Sequence, residues 1–120
     1  MLFRSADSSS ITNPVPPPPV PSFPKQYLLT YTYVPDVLEK RIPYRENHLQ
    51  LARDYIQKNK CISGGPTSTA TGGTGIPSGA LFIFTDVISA ETFVQNDPYV
   101  TNGIVTSYTI EEWTIVVQKE

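Results

Sequence analysis

Residues 14–21 read Pro-Val-Pro-Pro-Pro-Pro-Val-Pro, and neither a helix nor a central strand can run through them. Each proline lacks an amide donor and fixes φ. The run reads as solvated polyproline II. Residues 1–26 hold seven of the twelve prolines and only Arg4, Asp7 and Lys25 as charges. The chain therefore divides into a Pro-rich N-terminal tail, 1–24, expected to be disordered, and one domain, 25–120, with a modest core. In the tail, Pro16-x-x-Pro19 and Pro18-x-x-Pro21 could dock weakly in an SH3-like groove, with a plain spacer as the alternative.

The domain's chemistry is bounded by what it lacks. Cys61 is the single cysteine and His48 the single histidine, so no internal disulfide forms and a tetrahedral zinc site has too few ligands. No metal is expected. The formal net charge is −2. The Lys and Arg residues of 40–60 alternate with Glu46 and Asp54 and read as a solvated helix face, which argues against nucleic acid. No apolar run reaches the length of a membrane span. The N-terminus has no continuous apolar stretch of the kind that secretion requires. A cytoplasmic, reducing compartment is expected. A mitochondrial address is the alternative, although Asp7 and the scarcity of arginine fit it poorly.

Residues 26–34 alternate Tyr27, Leu29, Tyr31 and Tyr33 against Leu28, Thr30, Thr32 and Val34, a period of two that predicts a strand. Pro43 suits the first turn of a helix, and Tyr44, His48, Ala52 and Tyr55 continue at helical spacing to 59–60. Cys61-Ile62-Ser63 predicts a short strand stopped by Gly64-Gly65-Pro66. Residues 67–79 read as a Gly/Thr/Ser loop, either the rim of a pocket or a bland solvent loop. Its Gly73-Thr74-Gly75 piece precedes a strand, so a dinucleotide fingerprint is rejected. Residues 80–85 form a strand apolar on both faces. Ser89 is expected to cap a short helix that turns Ala90, Phe93 and Val94 inward. Asn102-Gly103 gives a left-handed stop, and 104–117 is a long final strand, interrupted near Glu111-Glu112.

The order β-α-β-β-α-β is the α+β, ferredoxin-like plait: a four-stranded antiparallel sheet with two helices on one face. Leu81/Ile83 and Phe82/Phe84 put apolar side chains on both faces, so the face without helices is expected to pack against a second copy as a homodimer. A charge placed at Phe82 or Phe84 tests which of the two faces the partner.

Two segments carry the chemistry. Leu38-Glu39-Lys40-Arg41 runs into Arg45-x-x-His48-Leu49, and Asp97-Pro98-Tyr99-Val100 is followed by Gly103. With Gly65-Pro66 between them, these pieces resemble the YCII-related (YciI-like) family over roughly 27–117. The resemblance implies a dimeric α/β barrel, related in fold to muconolactone isomerase and antibiotic monooxygenases, and a pocket holding a helix histidine, a strand-end aspartate and a serine before the third strand. His48 matches the histidine. Ser78 matches the serine, with Pro77 in place of the usual glycine. The aspartate's position is Tyr33, and Asp36, three residues on, is the candidate substitute.

His48 is thus the candidate general acid/base, because an imidazole titrates near neutral pH; a structural helix histidine is the alternative. Arg45, one turn earlier on the same face, could grip a carboxylate or phenolate, or pair with Asp97 or Glu46. Tyr33, Asp97 and Tyr99 are candidate substrate-binding residues, with a purely structural Asp-Pro turn as the alternative for the last two. The family includes a dehydrochlorinating member. The resemblance therefore implies a cofactor-free, lyase-, isomerase- or hydrolase-like enzyme acting on a small cyclic or phenolic molecule, with catalytic His48, Ser78 and Asp36. The rival is a non-catalytic dimeric module that binds a small ligand or partner. An acid hydrogen-bonded to His48 favours the enzyme; a Tyr33 side chain filling that space favours the module.

Overall fold

The alternation of 26–34 sorts one strand's side chains between two environments, and the rest of the domain is built on that division. In a computed structural model that describes residues 15–17, 22–69 and 73–120, β1 (Lys25–Tyr33) is followed by a one-turn helix α1 (Val37–Lys40) and a 3-10 turn (Ile42–Tyr44). Then come α2 (Arg45–Gln57), β2 (Cys61–Thr67), β3 (Gly79–Phe84), α3 (Val87–Asn96), a one-turn α4 (Pro98–Thr101) and β4 (Val105–Thr114). The strands form one antiparallel sheet in the order β2-β3-β1-β4, the ferredoxin-like plait. The disorder expected of 1–24 and the two proline docking motifs fall largely outside the described residues, as does the middle of the 67–79 loop.

Leu29, Tyr31 and Tyr33 of β1 and Ala80, Phe82 and Phe84 of β3 are buried on the helix-covered face. Phe93 of α3 lies 5.1 Å from the Phe82 ring centre and 5.3 Å from that of Phe84, and Tyr55 of α2 sits edge-on to Phe93 at 5.3 Å. Aromatic pairs in this range contribute roughly 0.5–1.5 kcal/mol beyond the area they bury. The aromatic cluster fixes both helices to the sheet.

Four sequence expectations change. β2 continues through Gly64-Gly65-Pro66 to Thr67 instead of stopping at Ser63. It is an edge strand, where proline's missing amide leaves no ladder bond unmade, and Gly64 is a place where any side chain would collide with Phe82. The cap of α3 is Asp86, whose carboxylate accepts from the Ser89 amide at 2.7 Å and the Ser89 hydroxyl at 2.9 Å. The final strand ends at Thr114 and runs unbroken past Glu111-Glu112, its register shifting instead between Thr32 and Tyr33 on β1. Finally, Phe82 and Phe84 both face the helices, so neither addresses a partner subunit. Leu81 and Ile83, with Leu28 beside Ile83 in register, lie on the open face. Gly103 has φ +74, the expected left-handed stop.

Candidate functional site

The site is assembled where the start of α2 meets the α3–α4 junction. Asp97 precedes a proline, which disfavours helical backbone at that residue; its φ −77 and ψ 119 are extended, so α3 ends there. Pro98 then occupies the first turn of α4. The Asp97 side chain turns back as that helix's cap, Oδ1 accepting from the Tyr99 amide at 3.0 Å. This local geometry leaves a fully buried carboxylate facing the sheet and α2.

Two further donors meet it. His48 Nδ1 lies 2.8 Å from Asp97 Oδ1, and the Tyr31 hydroxyl donates to Oδ2 at 2.7 Å. A carboxylate only accepts, so the proton of this pair sits on Nδ1 and leaves Nε2 as the imidazole nitrogen free to exchange a proton. The ring is held from its face as well: Tyr99 stacks on it at 3.8 Å with planes 4° apart. Burial, and then the Asp97 carboxylate, push the Tyr31 hydroxyl's pKa far up. Tyr31 is therefore a permanent donor to the aspartate.

His48 borders a cavity of about 90 Å³, whose lining includes Arg41, Arg45, Tyr33, Tyr99, Gly65 and Phe82. Sites for drug-sized ligands run from roughly 300 Å³ upward, so the cavity has room only for a compact molecule. Arg41, Arg45, His48 and Ala52 reach the cavity together because they recur at intervals of three or four residues along a nearly continuous helical path. Burial raises the pKa of both Tyr33 and Tyr99, with Arg41 opposing it at both and Arg45 at Tyr99.

Of the residues singled out in the sequence, the structure brings together His48, Asp97, Tyr99, Tyr33 and Arg45. It does not bring in Asp36 or Ser78. Asp36 is exposed at the start of α1, its carboxylate 3.9 Å from Lys40. Ser78 is an exposed strand-entry residue whose backbone joins Thr67 and Tyr33, and neither residue borders the cavity. The acid that holds the histidine is Asp97, 49 residues away in the sequence. The pairing of Arg45 with Asp97 or Glu46 is also absent: Glu46 lies 3.6 Å from Arg53, and Asp97 is taken by His48. Sequence reasoning missed Tyr31, read only as a strand residue, and Arg41, although its four-residue spacing from Arg45 was a usable signal. The rim is Gly64-Gly65-Pro66 of β2, not 73–78. Among the described residues no group of three or more His, Cys, Asp or Glu side chains comes together as a metal site, and no helix is long and apolar enough to cross a membrane.

The family described as YCII-related domain matches residues 26–114. No curated protein sequence matches the chain. Among solved structures, the chain is similar to 5-chloro-2-hydroxyhydroquinone dehydrochlorinase (TftG) from Burkholderia phenoliruptrix AC1100, in complex with 2,5-dihydroxybenzoquinone. The identity is 28%, the TM-score 0.61, and the match covers 74% of this chain and 93% of that one. A conserved protein from Methanosarcina mazei Go1 is 12% identical with a TM-score of 0.46, over 77% of this chain and 92% of that one.

Proposed function

The chain belongs to the YCII-related family, and from that premise we propose that it is a small-molecule enzyme in which His48 transfers a proton to or from a compact hydroxylated ring. The observation that carries the proposal is the 2.8 Å contact between His48 Nδ1 and the buried Asp97 carboxylate, beside a cavity. An imidazole so held accepts a proton at Nε2, and the imidazolium that results stays paired with the aspartate. In an elimination, the substrate's C–H proton goes to Nε2, its electron pair forms the new double bond, and the leaving group departs as an anion. Arg45, Tyr33 and Tyr99 would contact the substrate. The dehydrochlorinase's name and ligand suggest hydroxylated quinones and hydroquinones as the first compounds to try.

The test is exchange of ring protons for solvent deuterium in a panel of chlorinated and plain hydroxyhydroquinones, followed by NMR, with chloride release read in parallel. His48→Gln should slow both by roughly 100-fold or more, the usual scale of a positioned acid/base. Exchange at the unaltered rate in His48→Gln overturns the assignment. One observation favours the rival binding module: Tyr33 borders the cavity where the resemblance expects an acid. Saturable binding of the same panel with neither exchange nor chloride release would select that reading.

A further inference from the structure

Five polar side chains border the cavity, Tyr33, Arg41, Arg45, His48 and Tyr99, and none of them is an acid. Among the described residues no carboxylate lies within 4.0 Å of Arg41 or Arg45. The acids nearby have other partners. Asp36 lies against Lys40, Glu46 against Arg53, and Asp97 accepts from His48, Tyr31 and the Tyr99 amide. Two guanidiniums thus share the cavity lining with two phenolic side chains and have no fixed counter-charge among the described residues, and Leu49 and Phe82 add apolar lining. Arg41 opposes the burial-raised pKa of both tyrosines and Arg45 that of Tyr99, as cations near those hydroxyls would.

We propose that this cavity selects a ligand already anionic at neutral pH, with a planar oxyanion group (carboxylate or phenolate) on an apolar ring, and that Arg41 and Arg45 determine that specificity. The inference rests on the reading of the cavity as a small-molecule site and deepens it. A guanidinium meets a planar oxyanion through two parallel N–H donors, a match that a neutral group of the same shape does not make. In a concave, partly apolar site, the field of two unpaired cations is less screened than in bulk water. An anion therefore gains from both cations, while a neutral isostere does not. The tyrosine hydroxyls, kept protonated by burial, add neutral donors to the same oxygens.

The experiment compares benzoate with benzamide, two rings of one shape that differ in charge, by calorimetry and amide chemical-shift titration on the full chain at neutral pH. Benzoate should bind roughly tenfold more tightly or better, and the preference should shrink with added salt. In the Arg41→Gln/Arg45→Gln double variant the two ligands should bind about equally. Arg45 is exposed and Arg41 only half-buried, so both substitutions leave the core intact, and a melting curve verifies this. Equal affinities in the unaltered chain, no binding of either compound, or a preference that survives in the double variant would each overturn the inference. His48→Gln separates it from the proton-transfer reading. Benzoate preference retained in that variant, with proton exchange unaffected, would sink His48's catalytic role and leave the anion specificity standing. The converse pattern would do the reverse.

Discussion

Asp97 has no exposed surface, yet it accepts from three donors: His48 Nδ1, the Tyr31 hydroxyl and the Tyr99 amide. A buried carboxylate persists only with such a set, because each missing partner leaves a desolvated oxygen uncompensated. Tyr31→Phe removes the donor to Oδ2 and nothing else. It should destabilise the fold by about 1–3 kcal/mol, a drop of several degrees in Tm for a domain of this size. Because Oδ1 still faces Nδ1, turnover should fall less than in His48→Gln. A Tm unchanged from the parent would show that the 2.7 Å bond carries no net stability. The residues of this network differed in how legible they were. His48 stood out as the single imidazole on a helix. Its partner did not, because 49 residues separate the two and no local spacing encodes a contact between a helix start and a distant turn. Asp36 was the candidate only because it is near the strand end in sequence, and its backbone sends the carboxylate to Lys40 instead.

Elements were legible where one local force decided them. The alternation in β1, Pro43 before α2 and Gly103 after α4 each fix backbone or side-chain direction within a few residues. The misread boundaries are those where a neighbour decides. β2 crosses two glycines and a proline because it is an edge strand laid against Phe82, and that placement belongs to the sheet. At α3, Ser89 and Asp86 both suit a cap, and the extended backbone of Asp86 (φ −151, ψ 161) is what selects it. Asp86→Ala should cost about 1 kcal/mol of stability. Its pH dependence has a definite sign. The Ser89 amide, donating to the carboxylate, holds the Asp86 pKa below its ordinary value in the folded state. The stabilisation is therefore present above the unfolded-state value, near ~3.9, and is lost as pH falls through the lower folded value. Thermal melts of the parent and Asp86→Ala should differ by a constant gap at neutral pH, and the gap should close below about pH 4. A gap that persists undiminished at low pH would assign the effect to something other than the charged cap.

At the scale of the whole molecule, the sheet presents one face to the helices and leaves the other with Leu81 and Ile83 half-buried and Trp113 41% exposed. We infer that this apolar sheet surface is covered by association, and an isologous pair of sheets is the simplest way to cover it. That an apolar face would be left open was legible from the strand order and the two-sided 80–85 segment. Which phenylalanines faced it was not, since one residue of register exchanges the faces of a strand. The chain should therefore sediment as a dimer at micromolar concentration. Ile83→Asp, on the open face, should give a folded monomer, because it introduces a charge that the interface would desolvate without a partner. Phe82→Asp, beneath the helices, should instead unfold the domain. The same face bears on the cavity: Gly64, Gly65 and Pro66 of β2 wall the cavity and also line a shallow depression beside Leu81 and Ile83. A partner sheet packed there would hold that strand in place, so an Ile83→Asp monomer should also bind benzoate more weakly than the dimer. Sedimentation equilibrium of both chains, with benzoate titrations on the same samples, checks the two halves together. A monomeric parent removes the dimer; a monomeric variant with undiminished benzoate affinity keeps the dimer and removes its coupling to the site.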